Sequence, residues 1–426
     1  MFGRWTLATV LTLAATATPT AWGQGSTFDF SAASRGTRLW IPEGLETVRG
    51  ILIYGNGAGG DSRHEVSKAI HQAFAKTHGF AIVATSMWGN LSGNELDFWD
   101  GHLAGLATLS GHPELIHAPY APVGLSNGGQ MSYGFNALRP EKTIAFIANK
   151  GCCYNVINPS DAAKATPGIL IAGELDTQTR RDNIRNLYLS NRSHGALWSW
   201  VEQPGVGHAD DANELVLPFM SEAIRLRYPN GEGPTATHGV TLKGVNAAAG
   251  WLADNSSWKS GLTKTYAIVD YPGDPAAASW LLNEPIARVF QAFSTYGRTA
   301  ALAFNSRGGL ELQSGEGLQP VTLYMNMQAA AGWQTATLFD FDQPVKAFAP
   351  ADWPGSILTV NMPISRLGAH VFSLRLEYLD GRTSISNPVA YYATAVPEPS
   401  SGILAVAGVA WLAHRRRRAT VKNLGT

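Results

Sequence analysis

The chain has 426 residues, 45% of them apolar, with 32 basic and 32 acidic side chains. Such a composition supplies a large buried core and two or more domains, and it excludes a fibrous or disordered chain. The balanced charge argues against a nucleic-acid binder, which presents a basic face.

Residues 2 to 23 run from Arg4 through the apolar stretch "WTLATVLTLAATA" to the small residues of "PTAWG". A charged start, a short apolar centre and a small-residue cleavage site predict a signal peptide over residues 1–23, and hence export. The apolar stretch is shorter than the ~20 residues of a spanning helix.

From Phe28 to Tyr228, short apolar runs alternate with helix-like stretches, the pattern of an α/β domain with a mostly parallel sheet over residues 28–228. The expected strands are "TRLWI", "GILIYG", "FAIVAT", "APVGLS", "TIAFIAN", "GILIAG" and "LWSWVEQ". Between them, "HEVSKAIHQAFAKTHG" places Val66, Ala69, Ile70, Ala73 and Phe74 at helical spacing, and "NELVLPFMSEAIRLRY" does the same with Leu215, Phe219 and Ile224.

The stretch "PYAPVGLSNGGQMSYGF", residues 119 to 135, sets Ser126 in a glycine frame between a strand and a helix. In that setting Gly-x-Ser-x-Gly reads as a nucleophile elbow, where small residues two positions either side let strand and helix approach. A serine hydroxyl needs a base to take its proton and an acid to orient that base. "GILIAGELDTQT" places Asp176 just past a strand, and "WSWVEQPGVGHADD" places His208 in a loop after the next one, giving the chain order Ser, Asp, His. Glu174, two residues before Asp176, is the alternative acid, and Asp176 is then a helix cap. His64, His71, His78, His194 and His238 fall on helices, surfaces or the linker. His102, His112 and His117 precede the serine and break the order.

The loop after "GILIY" reads "GNGAGGDS", and its Gly57 or Ala58 is expected to give one oxyanion-hole N–H, with Asn127 giving the other. Gly55, Gly57 and Gly60 also satisfy Gly-x-Gly-x-x-Gly, but no Asp or Glu lies between Glu65 and Glu95 to hold a ribose, so a dinucleotide cofactor is not expected. Trp88 and Trp99, in "SMWGNLSGNELDFWDG", are read as a loop at the rim of the substrate site, with packing against neighbouring helices the alternative. The adjacent Cys152 and Cys153 follow a strand and are placed at the site's edge, and no metal-ligand spacing built on Cys or His appears.

The elbow "GLSNGG" resembles that of secreted α/β-hydrolase esterases of the feruloyl-esterase and polyhydroxybutyrate-depolymerase type, over about residues 36 to 228. The resemblance implies Ser126 as nucleophile, Asp176 as acid, His208 as base, and an ester, small or polymeric, as substrate. Those esterases often carry a His-Gly pair before the oxyanion loop, where this chain has "IYGNGAGGDS". The alternatives are a serine peptidase of the same fold and a surface-displayed, non-catalytic binding or matrix protein.

Residues 229–238 concentrate Pro, Gly and Thr and read as a linker. Residues 239–317 contain the amphipathic stretch "NEPIARVFQAFSTY" and no chemistry that can be named. Closely spaced strands and the hairpin signal Asp380-Gly381 predict an immunoglobulin-like β-sandwich over residues 318–394.

The end of the chain places Pro397-Glu398-Pro399 before the apolar run Gly402 to Ala413 and then Arg415 to Arg418. Cations after an apolar run stay on the cytoplasmic side. The tail resembles the PEP-CTERM sorting signal over residues 396–418. It implies transient inner-membrane association, an exosortase-like processing enzyme as partner, and delivery to the cell surface or extracellular matrix. Loss of both ends leaves 26 basic and 31 acidic residues, a mildly acidic protein.

Overall fold

The structure, a computed structural model, describes residues 25–395 apart from 33, 87–88, 257, 305–312 and 328–331. The expected signal peptide and sorting tail lie outside the described residues, as does Trp88.

The first half is built on one sheet of eight strands: β1 (Gly25–Ala32), β2 (Arg35–Pro42), β3 (Gly50–Gly55), β4 (Phe80–Thr85), β5 (Tyr120–Leu125), β6 (Phe146–Asn149), β7 (Gly168–Gly173) and β8 (Trp198–Gln203). Their order is β1-β2-β4-β3-β5-β6-β7-β8. β2 pairs antiparallel with both β1 and β4, and every other pairing is parallel. Residues in β3, β4, β7 and β8 are buried throughout, which is why these strands read as unbroken apolar runs: a parallel sheet has helices on both faces.

Six helices cover it: α1 (Ala69–His78), α2 (Gly93–Ser110), α3 (Asn127–Leu138), α4 (Asp161–Lys164), α5 (Gln178–Arg192) and α6 (Asn213–Arg227). Alternation along the strands divides the two layers. Leu52, Ile82, Val123 and Ile147 pack with Phe74 of α1 and Leu215, Phe219 and Met220 of α6. Ile51, Ile53, Val83 and Tyr120 pack with Trp99, Leu103 and Leu106 of α2 and with Met131 and Phe135 of α3. This is the α/β-hydrolase fold.

The segment read from sequence as a loop carrying Trp99 is instead the start of α2. Ser92 caps that helix by accepting the Glu95 N–H at 3.4 Å, the Ser-x-x-Glu start signal.

Residues 239–294 form no separate domain. β9 (Trp251–Ala253), β10 (Thr265–Ala267) and β11 (Ser279–Leu281) make a small sheet, followed by α7 (Glu284–Ser294). Leu252, Trp280, Phe290 and Phe293 join the same core as Leu215 and Phe219. Ser279 Oγ accepts the Trp200 N–H at 2.8 Å and donates to Trp200 O at 2.9 Å, fastening β11 to β8.

The rest is an immunoglobulin-like sandwich of β12 (Ala301–Phe304), β13 (Gln313–Glu316), β14 (Val321–Asn326), β15 (Trp333–Asp340), β16 (Gln343–Phe348), β17 (Ile357–Met362), β18 (Gly368–Tyr378), β19 (Thr383–Ile385) and β20 (Val389–Thr394). One sheet runs β12-β14-β17 and the other β13-β20-β18-β15-β16, with β19 on β18. Leu302, Leu323, Met325 and Val360 of the first meet Leu338, Phe372, Leu374 and Tyr391 of the second. The sandwich takes in Ala301–Phe304, upstream of the boundary at 318, because β12 pairs with β14. It also shares a core with the sheet half: Tyr392 lies 6.1 Å from the ring of Phe74, and its hydroxyl is 2.8 Å from Ser221 Oγ.

Candidate active site

Ser126 occupies the turn between β5 and α3 with φ 58° and ψ −120°, a conformation that costs a non-glycine residue ~1–3 kcal/mol. The glycines around it are demanded by contact. A Cβ on Gly124 would lie 1.9 Å from Gly128 O, and one on Gly128 would lie 2.1 Å from Gly55 O. The turn is held from below by the Ser126 N–H, which donates to Asn149 O at 2.8 Å.

His208, in the loop between β8 and α6, places Nε2 2.8 Å from Ser126 Oγ and Nδ1 2.7 Å from Asp176 Oδ2. The tautomer that satisfies both contacts has Nδ1–H donating to the carboxylate and Nε2 accepting from the serine hydroxyl. Asp176 sits just past β7 with its side chain 5% exposed, its Oδ1 accepting the Thr177 N–H at 2.8 Å. His208, at 37% side-chain exposure, opens to solvent. Glu174 turns away: its Oε2 accepts the Gly205 N–H at 2.7 Å. The structure thus brings together Ser126, Asp176 and His208, and leaves Glu174 outside.

Two cations that the sequence reading passed over lie beside these groups. Arg180, one helical turn beyond Asp176 on α5, puts Nε 3.3 Å from Asp176 Oδ2, an i,i+4 acid–base spacing visible in "DTQTR". Lys150 ends the apolar run "TIAFIANK" and is fully buried, its amine lowered to about 8 chiefly by desolvation. A lysine closing an apolar strand is the signal that was available for it.

The loop carrying Gly57 and Ala58 runs against the nucleophile, since a Cβ on Gly57 would meet Ser126 Cβ at 3.2 Å. The Gly57 N–H donates to Asn56 Oδ1 at 2.7 Å, and the Gly60 N–H closes a turn on Gly57 O at 3.0 Å. Asn127 heads α3, where the Gly129 and Gln130 N–H groups donate to Ser126 O. Trp99 is not at the rim: it is 0% exposed, with edge-on ring contacts to Phe135 at 5.1 Å and Tyr120 at 6.2 Å. The side chains of the adjacent Cys152 and Cys153 face each other, and Arg180 Nη1 donates to Cys152 Sγ at 3.4 Å. Burial pushes the Cys152 thiol up to about 11. Among the described residues, no group of three or more His, Cys, Asp or Glu is placed to hold a metal ion.

No family model matches the chain, and no curated protein does. Solved structures similar to parts of it include esterase PE8, at 18% identity and a TM-score of 0.33 over 47% of this chain and 99% of that one. An acetyl xylan esterase from Aspergillus awamori aligns at 12% identity and a TM-score of 0.35, over 46% of this chain and 99% of that one. Fibronectin(III)-like modules of Clostridium thermocellum CbhA align at 10% identity and a TM-score of 0.19, over 23% of this chain and 99% of theirs.

Proposed function

We propose that the protein is a serine hydrolase that cleaves a carboxylic ester through a covalent acyl-enzyme. One observation carries the reading: Asp176, His208 and Ser126 form an unbroken hydrogen-bonded chain, at 2.7 and 2.8 Å, ending on a hydroxyl held in a strained turn. As Ser126 Oγ attacks the substrate carbonyl, His208 Nε2 takes its proton, and Asp176 stabilises the imidazolium that forms. The developing oxyanion is received by backbone N–H groups, each worth ~3 kcal/mol at the transition state. Asn127 supplies one of them. Gly57, whose N–H now rests on Asn56 Oδ1, or Ala58 supplies the other from the loop after β3. His208 then gives its proton to the leaving alcohol, and a water molecule repeats the sequence to release the acid. The choice of ester over amide rests on the resemblance of the "GLSNGG" elbow to secreted esterases.

Labelling with a fluorophosphonate probe, followed by turnover of p-nitrophenyl esters and peptide anilides, tests the reading. Label on Ser126 with ester turnover is expected. Label on another serine, or faster turnover of the anilides, overturns it.

The address signals at the ends of the chain belong to the same proposal: export through residues 1–23, and trimming of residues 396–418 by an exosortase-like enzyme. Intact mass of protein from native cells decides this, because a terminus still carrying Arg418 contradicts removal of the tail.

A further inference from the structure

Beneath the candidate triad lies a buried polar layer that the reaction itself does not use. Lys150 follows β6 with φ 52° and 0% exposure, and its N–H donates to Ile171 O of β7 at 2.7 Å. Its Nζ meets three neutral acceptors: Gln203 Oε1 at 2.8 Å, Asn149 Oδ1 at 3.0 Å and Asp210 O at 3.2 Å. An ammonium has three donors, so the set is complete.

Asp210 lies two residues past His208, in a left-handed conformation with φ 83°. Its carbonyl accepts a second bond from Asn149 Nδ2 at 2.8 Å, and its carboxylate accepts from Gln203 Nε2 at 3.0 Å and from the Ala212 N–H at 2.9 Å. Asn149 is also the residue whose carbonyl takes the Ser126 N–H. One ammonium therefore joins the end of the strand under the nucleophile, the end of β8 and the loop bearing the base.

We propose that Lys150 is a positioning residue: its ammonium fixes the His208 loop against the Asn149 shelf that holds Ser126, keeping Nε2 at attacking distance from the hydroxyl. This rests on the hydrolase reading above. A neutral side chain of the same length fills the space but leaves Gln203 Oε1 and Asn149 Oδ1 without a donor and Asp210 O with Asn149 Nδ2 alone, and the loop is then free to shift. A misplacement of about 1 Å in such a site costs ~100-fold in rate.

The charged and titratable groups whose fields reach the amine are Asp210, Glu214, Asp211 and Asp176. Glu214 is itself raised to about 7, chiefly by burial, while the amine is lowered to about 8. A lowered lysine is charged below its folded value and neutral above it, so the tie loosens as pH rises through about 8.

The test uses Lys150→Met in the whole protein, with ester kcat, KM and fluorophosphonate labelling rate measured against pH. Expected are a kcat lower by ~100-fold, KM within ~3-fold and labelling slowed in proportion. The parent's alkaline fall in kcat centred near 8 should be absent from the variant and kept in Glu214→Gln. If Lys150→Met does not fold, Lys150→Ala is assayed with methylammonium, which should restore kcat at least ~10-fold. A folded Lys150→Met with parental kcat, an alkaline fall that survives in it or vanishes in Glu214→Gln, or an Ala variant indifferent to the amine overturns the assignment. A parent that takes no label overturns the hydrolase reading itself. A labelled parent with an equally labelled Lys150→Met overturns only the role of Lys150.

Discussion

The Cα of Gly124 and the carbonyl of Gly128 are packed so closely that a methyl on the first would stand 1.9 Å from the oxygen of the second. Helix α3 thus crosses the end of β5 at a separation that only hydrogen permits, and this crossing sets the height of Ser126 above the sheet.

Gly124→Ala should therefore destabilise the protein by about 1–3 kcal/mol or more and lower activity with it, because the obstacle is backbone and cannot rotate away. Urea denaturation of the variant checks this. A parental midpoint with full turnover would contradict the contact.

At Ser126 stability and activity should separate. Ser126→Ala keeps the strained φ of 58° and should unfold like the parent, with ester hydrolysis abolished. Ser126→Gly should be equally inactive yet more stable by about 1 kcal/mol, since glycine adopts this backbone without strain. Paired melting curves and rates are the measurement.

The two acids near β7 should behave differently. Asp176→Asn should lower kcat by ~10³–10⁴-fold by disturbing the tautomer and charge facing His208 Nδ1. Glu174→Gln keeps an acceptor for the Gly205 N–H and should change kcat by less than ~3-fold. A larger loss in Glu174→Gln would move the acid by two residues.

Trp99→Ala should act on folding and not on recognition. Loss of a wholly buried indole packed on Phe135 and Tyr120 costs ~3–5 kcal/mol, while KM across a series of ester chain lengths should stay parental in whatever fraction folds. A KM that changes with chain length in Trp99→Phe would restore the tryptophan to the rim.

Acid lability should be traceable to His71, which is fully buried and lowered to about 4, chiefly by desolvation. It stays neutral in the fold while the unfolded chain takes up a proton below its ordinary value, so its contribution is present above about 6.5 and is lost as pH falls toward 4. Between pH 7 and 5 that loss is ~2 kcal/mol. His71→Gln should be less stable at pH 7 but show a flatter pH slope in denaturant titrations. An unchanged slope would place the sensitivity elsewhere, with His78, lowered to about 3 chiefly by burial, the next group to examine.

What could be read from the amino acids follows from where their contacts go. Strands β3 to β8 announce themselves because both faces are covered, and Ser126, Asp176 and His208 stand in the order that the turns of such a sheet require. Helix α2 did not, because Gly101 and Gly105 interrupt its pattern. The second of these is there for a neighbour, since a Cβ on Gly105 would strike Phe30 of β1 at 2.3 Å. Missing that helix is what put Trp99 at the rim. Residues 239–294 gave no domain signature because their apolar side chains, such as Trp280 and Phe290, complete another unit's core instead of forming their own. Lys150 and Asp210 meet only through the third dimension, 60 residues apart, and no local spacing links them.

Tyr392, set between Phe74 and Ser221, also bears on how this chain responds to force and to rearrangement in evolution. A module hung on a flexible tether can be pulled, cut away or exchanged without its neighbour noticing. Here the last strand of the sandwich is seated in the wall of the sheet half, so a pull on the sandwich also loads the frame that aligns Ser126, Asp176 and His208. Recombination at residues 229–238 would sever a shared interior, leaving Phe74 bare on one fragment and Tyr392 on the other. Strain on either half would be borne by both.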